Sequence, residues 1–168
     1  MRKASPKPSA SGAAAKNVAP RRAVNRRIAL LRADYNREIT LNLEKRCVAA
    51  LIEGGVRAGS VDRYVVPGCF EIPLAAQRLA RTKRYDAIIA LGAVIRGDTY
   101  HFDLVANECA RGILRVSLDE NIPIIFEVLA TYNRRDALRR AGNNRFNKGL
   151  EAAHSALAVL AALDLMKD

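Results

Sequence analysis

Residues 86–108 read DAIIALGAVIRGDTYHFDLVANE, and this stretch decides the fold. It opens with residues 87–91, a short apolar run typical of a strand buried on both faces. Gly92 and Gly97 then mark a loop whose polar residues begin at Arg96, and a helix-like pattern starts at His101. In α/β folds, a small-molecule site is usually built where a strand is followed by a glycine-bearing loop and then a helix. We therefore expect an active-site wall here, where the polar side chains are those of Arg96, Asp98, Thr99 and His101.

The alternation of short apolar strands with helices continues on both sides of this stretch. Three further strands are predicted at residues 27–31, 61–66 and 122–126. Helices are predicted at residues 41–52, 72–80, 102–118, 136–141 and 148–165. Thr40 is the predicted N-cap of the first helix, and Pro73 fits the first turn of the second. The order βαβαβαβαα is typical of an α/β protein, a three-layer α/β/α sandwich around a four-stranded parallel sheet.

Four segments that are distant in sequence meet at one edge of such a sheet, because every loop after a parallel strand emerges at the carboxyl ends. They are residues 34–36, 67–71 and 92–101 and the segment after Phe126. Tyr35 and Phe70 offer flat apolar surfaces to a planar heterocycle, and Glu71 can accept hydrogen bonds from hydroxyl groups. The edge is therefore suited to a planar, polyhydroxylated ligand.

Positive charge at the same edge favours a phosphate. The backbone N–H groups of residues 97–99 precede a helix, whose dipole attracts an anion. Arg140 and Lys148 add positive charge, and His101 suits a proton shuttle near neutral pH. The residues alone thus indicate an α/β enzyme that binds a planar polar ligand and a phosphate.

The same residues also have ordinary structural explanations. Tyr35 and Phe70 fit a role as core aromatics, and Glu71 fits a helix-start acid stabilised by the helix dipole. A loop histidine is more often incidental than catalytic. Arg140 and Lys148 stand among other basic residues, where a solvated face is the default.

The charge is unevenly distributed along the 168 residues. The net charge is +11, yet residues 1–33 hold nine Lys and Arg and no acid, while the remainder holds 19 basic and 17 acidic residues. We expect a basic, largely disordered arm over residues 1–24 and one domain over residues 25–168. The arm fits a solvated tail, a transit-like segment or an RNA contact, and residues 17–24 also fit a strand added to a neighbouring subunit's sheet.

Hydropathy and cysteine usage indicate the compartment. No apolar run approaches the ~20 residues needed to cross a bilayer, so we expect a cytoplasmic protein without membrane association. Cys47, Cys69 and Cys109 show no metal-ligand spacing. They favour reduced thiols in a cytosol, and we expect no metal site.

Five motifs occur in order along the chain: VPGCFEIPLAA, ALGAVIRGDTYHFDLVANE, IPIIFEVL, RAG and NKGLEAA. With these motifs the chain resembles the 6,7-dimethyl-8-ribityllumazine synthase family of riboflavin biosynthesis, from about residue 27 to about residue 165. The resemblance implies the flavodoxin-like form of the sandwich. It also implies condensation of 5-amino-6-(D-ribitylamino)uracil with 3,4-dihydroxy-2-butanone 4-phosphate, without a metal or organic cofactor.

The resemblance assigns roles by position in the motifs. Tyr35 stacks on the pyrimidine ring, and His101 is the proton donor and acceptor. The ribityl side is lined by Cys69, Phe70 and Glu71, and the uracil edge by Ala93, Val94 and Ile95. The phosphate is bound by Asp98 and Thr99 through the main chain, with Arg140 paired to it and Lys148 near it. Phe126 completes the pocket from an adjacent subunit.

The resemblance also implies assembly. Family members form pentamers with sites between subunits, some close into icosahedral shells of twelve pentamers, and riboflavin synthase is a further candidate partner. Where the family usually has glycine after the position of Phe126, this chain has Glu127. The alternative function is a shell-forming structural or binding homologue that has lost turnover. A flavodoxin-like or receiver-type signalling domain would need an acidic cluster after the first strand, where Asp34 stands alone.

Overall fold

The computed structural model of the protein describes residues 20–166. Most of the basic arm predicted over residues 1–24, and with it the predicted disorder, lies outside this part. The strands are β1 (Ile28–Ala33), β2 (Val61–Val66), β3 (Ala87–Ile95) and β4 (Ile124–Thr131). The α-helices are α1 (Arg37–Glu53), α2 (Ile72–Arg81), α3 (His101–Asp119), α4 (Arg134–Ala141) and α5 (Lys148–Asp164). Short 3-10 turns span Pro20–Asn25 and Ala58–Ser60.

The four strands form one parallel sheet in the order β2-β1-β3-β4. Side chains alternate along the two central strands, so Leu30 and Ile89 pack under α1, α4 and α5, while Leu31 and Ile88 pack under α2 and α3. Both central strands are buried on both faces, which explains their continuous apolar runs. The predicted three-layer α/β/α sandwich of the flavodoxin-like type is confirmed.

The first helix begins earlier than the sequence suggested, and the prediction of Thr40 as its N-cap is wrong. The N-cap is Asn36, in the left-handed region at φ 57°. Its side chain does not cap the helix and instead donates to the Ala93 carbonyl, at 2.9 Å. Thr40 is fully buried inside the helix, where its hydroxyl accepts a hydrogen bond from Arg32 at 3.2 Å. Asparagine tolerates the left-handed conformation better than most residues, which allows the helix to start there.

Three strands run further than predicted, and the first of them, β1, ends at Ala33 rather than at residue 31. We expected a loop from Gly92, but β3 continues to Ile95; we expected a loop after Phe126, but β4 continues to Thr131. A Cβ on Gly92 would lie 2.6 Å from the Cys69 sulfur, so this glycine serves close packing within a strand rather than a turn. The continuation of β4 past Phe126 was missed because of Glu127, since a charged residue normally marks the end of a buried strand.

The start of the domain is tied to its far end by ion pairs at the amino edge of the sheet. Arg26 pairs with Asp86 at 3.0 Å and also with Asp164 on the last helix. Arg27 pairs with Asp62 at 2.9 Å, and the Tyr85 hydroxyl donates to the same carboxylate at 2.8 Å. These contacts lie at the opposite edge of the sheet from the loops that follow the strands.

The three cysteines are buried and free. Burial raises the pKa of the Cys47 and Cys109 thiols to about 12. Within residues 20–166, no group of three or more His, Cys, Asp and Glu side chains is placed to hold a metal ion. Over the same residues, no helix is both long enough and apolar enough to cross a bilayer.

Candidate active site

A cavity of about 860 Å³ lies at the carboxyl edge of the sheet. Three connections build it: the loop after β1, the loop between β2 and α2, and the end of β3 with the first turns of α3. The predicted site residues that line it are Tyr35, Cys69, Phe70, Glu71, Ala93, Val94, Ile95, Thr99 and His101. The topology therefore brings most of the predicted site into one cavity within a single chain.

The loop after β1 is held by backbone hydrogen bonds to the end of β2. Asp34 N–H donates to the Val66 carbonyl at 2.8 Å, and Tyr35 N–H donates to the Pro67 carbonyl at 2.9 Å. Asn36 links the same loop to β3 through the Ala93 carbonyl. The Tyr35 ring is 72% exposed at the cavity wall, so its face is free to stack against a ligand.

A buried arginine on β1 holds this loop in place through hydrogen bonds to carboxylates. Arg32 on β1 is almost fully buried and donates to Glu44 at 2.8 Å and to Asp34 at 2.8 Å. The hydrogen bond from Arg32 holds the pKa of Asp34 below its ordinary value, with Arg37 adding to the effect. Because a buried charge must be paired, this network orders the residue next to Tyr35.

The loop before α2 supplies an apolar surface and a carboxylate. Phe70 and Cys69 both line the cavity. Phe70 is 59% exposed, whereas Cys69 is buried against β3. Burial raises the pKa of the Cys69 thiol to about 11, although a hydrogen bond from the Ala93 backbone opposes the rise. Glu71 sits at the N-cap of α2, but its side chain makes no cap hydrogen bond. The exposed carboxylate is therefore available to ligand hydroxyl groups.

The end of β3 and the start of α3 form the third wall. The Arg96 N–H donates to the Thr131 carbonyl at 2.9 Å, so the loop starts in register with the end of β4. Thr99 and His101 line the cavity. Asp98, which follows Gly97 and precedes Thr99, is exposed and does not line it. The first backbone N–H groups of a helix lack partners within the helix, so the 19-residue α3 presents donors and a positive dipole end here.

Three predicted residues lie elsewhere in the chain. Phe126 is on β4 opposite Ala90, with its ring 43% exposed, and it does not line the cavity. Arg140 is in the last turn of α4 and Lys148 is the first residue of α5, outside the cavity as well. One chain therefore carries the predicted site in two parts: the aromatic cavity, and Phe126, Arg140 and Lys148 outside it on β4, α4 and α5.

The lysine of the second part lies among carboxylates. Lys148 forms an ion pair with Glu151 one turn along α5. Glu127 on β4 lies near both, and burial raises its pKa to about 7, with the Glu151 charge adding to the rise and Lys148 opposing it. The Cys47 thiol on α1 is also within reach of the Glu127 charge.

Several cavity residues were not among the sequence predictions. Phe102, Leu104 and Val105 line the cavity from the first turns of α3. Pro67, Gly68 and Gly97 also line it, and they belong to the segments predicted to meet at this edge. Leu104 stands three residues after His101, a helical spacing that places both on one face. That spacing could have revealed Leu104 once His101 was assigned to the cavity.

The chain matches a family model described as 6,7-dimethyl-8-ribityllumazine synthase over residues 25–164. The match spans every element that builds the cavity and also Phe126, Arg140 and Lys148. The chain belongs to the 6,7-dimethyl-8-ribityllumazine synthase family. Membership supports a lumazine synthase function in general and implies an enzyme of the transferase class. Both parts of the predicted site thus lie on the portion of the chain that is typical of lumazine synthases.

Proposed function

We propose that the protein condenses 5-amino-6-(D-ribitylamino)uracil with 3,4-dihydroxy-2-butanone 4-phosphate to give 6,7-dimethyl-8-ribityllumazine, phosphate and water. The observation that carries the proposal is the convergence of nine predicted site residues on one cavity, in a chain that belongs to the lumazine synthase family. The cavity combines exposed aromatic faces, a carboxylate, backbone groups and one imidazole.

The aromatic end of the cavity suits the ribitylaminouracil. The Tyr35 ring stacks on the pyrimidine, and the backbone at residues 93–95 meets the edge of the uracil. Phe70 and Glu71 flank the ribityl chain, where the carboxylate accepts hydrogen bonds from hydroxyl groups. Two reactants held in one cleft gain much of their rate from proximity and orientation.

The end near the start of α3 suits the phosphate substrate. Backbone N–H groups around Asp98 and Thr99, together with the helix dipole, favour the negative charge that develops as phosphate leaves. Arg140 and Lys148 complete this end in the proposal. Because both lie outside the cavity of their own chain, a neighbouring protomer supplies them together with Phe126.

The chemistry needs proton transfers. The ring amine attacks the ketone carbonyl, water leaves, and an imine forms; phosphate is then eliminated, and ring closure releases water. His101 lines the cavity at the first residue of α3. We assign it the exchange of protons with the reacting amine and carbonyl groups, a task for which an imidazole is suited near neutral pH.

The assembly and the chain's organisation are part of the proposal. A site shared between protomers requires a homo-oligomer, and we propose the pentamer. We further propose that twelve pentamers close into a shell and that the assembly binds riboflavin synthase. We also propose that residues 25–168 form one cytoplasmic domain preceded by the basic arm of residues 1–24. The ion pairs of Arg26 with Asp86 and Asp164 support a domain boundary close to residue 25.

A direct assay tests the function. The full chain is mixed with both substrates, and lumazine formation is followed by absorbance beside a reaction without protein. We expect a rate above the uncatalysed condensation that rises in proportion to protein concentration. A rate equal to the uncatalysed one would exclude the synthase and favour the structural or binding homologue.

A further inference from the structure

The connection between α4 and α5 is organised by one buried side chain, Asn147. Its carboxamide nitrogen donates to the Ala141 carbonyl at 2.7 Å and to the Gly142 carbonyl at 2.9 Å. Its carboxamide oxygen accepts from Gly149 N–H at 2.8 Å and from Leu150 N–H at 3.3 Å. The side chain is fully buried, and both of its donors and both of its acceptor sites are used.

These four hydrogen bonds join the end of one helix to the start of the next. The two carbonyls belong to the C-terminal end of α4, where carbonyl groups have no partner within the helix. The two N–H groups belong to the first turn of α5, where Asn147 is the N-cap. One amide therefore binds backbone groups of both helix ends at once and fixes the distance between them.

The start of α5 is also seated directly on α1. A Cβ on Gly149 would lie 2.0 Å from the Leu43 carbonyl oxygen, so only glycine permits this contact of helix with helix. The first turn of α5 is thus held by α1 on one side and by Asn147 on the other. Lys148 lies between these two fixed residues, and Arg140 lies one residue before the pair of carbonyls that Asn147 binds.

We infer that Asn147 is a positioning residue for phosphate, which acts by holding Arg140 and Lys148 at a fixed separation. This inference rests on the proposed function, in which both cations bind the phosphate substrate. A rigid pair of cations loses little freedom on binding an anion, whereas a pair on two loosely joined helices must be ordered at each encounter. The amide itself makes no contact with substrate.

Asn133 provides a matched comparison on the other end of α4. It is also an asparagine N-cap, and its side chain accepts from Asp136 N–H at 2.8 Å. Its side-chain amide also donates to the Asp136 carboxylate at 2.9 Å, so both bonds stay within the first turn of α4. A loss of helix capping alone should affect Asn133 and Asn147 variants alike, whereas a loss of the bridge affects only Asn147.

The test compares Asn147→Asp and Asn147→Ser with Asn133→Asp and Asn133→Ser in the full chain. Aspartate and serine keep an acceptor for the cap, but neither can donate to both carbonyls. We measure the KM of each substrate, kcat, the inhibition constant of inorganic phosphate, and the thermal midpoint. Binding of inorganic phosphate is also measured by calorimetry, which does not depend on turnover.

We expect the Asn147 variants to raise the KM of the phosphate substrate and the inhibition constant of phosphate on the order of tenfold, because a cation misplaced by about 1 Å binds poorly. The KM of the uracil substrate should stay within about twofold, and the Asn133 variants should show neither effect. Three results would overturn the inference. The first is an equal rise in the KM of both substrates, and the second is a folded Asn147 variant in which the KM of the phosphate substrate and the inhibition constant of phosphate are unchanged. The third is failure of both Asn147 variants to fold. A wild-type chain that binds phosphate but forms no lumazine would instead refute the proposed function alone.

Discussion

Replacing Glu127 by glutamine should stabilise the protein above neutral pH and have a much smaller effect in mild acid. Burial raises the pKa of this carboxyl from its ordinary 4.5 to about 7. A carboxyl whose pKa is raised by folding stays protonated in the native state while the unfolded chain ionises. The folded state therefore loses stability as pH rises from about 4.5 to about 7, and the loss is constant above that range.

The size of the effect follows from the two pKa values. A pKa difference from 4.5 to about 7 corresponds to about 3 kcal/mol at pH 8 for a carboxyl sealed from water. Because Glu127 is only partly buried, we take about 2 kcal/mol at pH 8 and about 0.5 kcal/mol at pH 5. A gain of about 2 kcal/mol should raise the thermal midpoint by about 4–8 °C in a chain of this size.

The assay is thermal and urea unfolding of the wild-type and Glu127→Gln proteins at pH 5 and pH 8. One protein concentration is used throughout, because the stability of an oligomer of the kind proposed depends on concentration. Glu53→Gln, at an exposed position at the end of α1, serves as the control for loss of one negative charge. We expect a gain for Glu127→Gln that grows with pH and no comparable gain for Glu53→Gln. An equal gain at both pH values, or none at pH 8, would refute the burial argument for this carboxyl.

Four further predictions concern the site and its support. His101→Ala should lower kcat about a hundredfold with little change in uracil-substrate KM; steady-state kinetics checks this, and an unchanged kcat removes His101 from its assigned step. Arg140→Ala should raise mainly the KM of the phosphate substrate, whereas Arg135→Ala, exposed on the same helix, should not; saturation curves for that substrate decide. Gly149→Ala should destabilise the fold by about 3 kcal/mol or more, because its Cβ would overlap the main chain of α1, and urea unfolding measures this. Deletion of residues 1–15 should leave lumazine formation intact, and loss of activity would place the arm in the site.

The element order and the sheet were predictable because their signals are local. Most strands contain a short apolar run, and each helix shows its own periodicity. Residues 61–66 include Asp62 and Arg63, and they were still assigned with the bounds of β2. The errors arose where a long-range contact overrides a local signal. Gly92 is a typical loop residue, but the Cys69 sulfur packs against it and keeps it in β3. Thr40 is a good cap residue, but its hydroxyl is bound by buried Arg32.

The candidate site was predictable in its residue types and less so in its geometry. The parallel topology alone brought Tyr35, Phe70 and His101 to one cavity, because loops that follow parallel strands share an edge. The separation of Arg140 and Lys148 from that cavity was not derivable from spacing, since it depends on how far β4 runs before α4 begins. The bridging role of Asn147 was equally hidden, because an N-cap signal does not show which carbonyls the amide also meets.

The sequence by itself determined the class of fold, the family and the chemical groups that gather at the carboxyl edge, since these follow from periodicity, connection order and short motifs. Only the tertiary structure decided where β3 and β4 end, which residues form one cavity, and that the helix ends with Arg140 and Lys148 stand apart from it. It also decided that Glu127 is half-buried near Lys148 and Glu151. The physical reason is that burial, pKa and the distance between helix ends are properties of packing between elements, which no local pattern encodes.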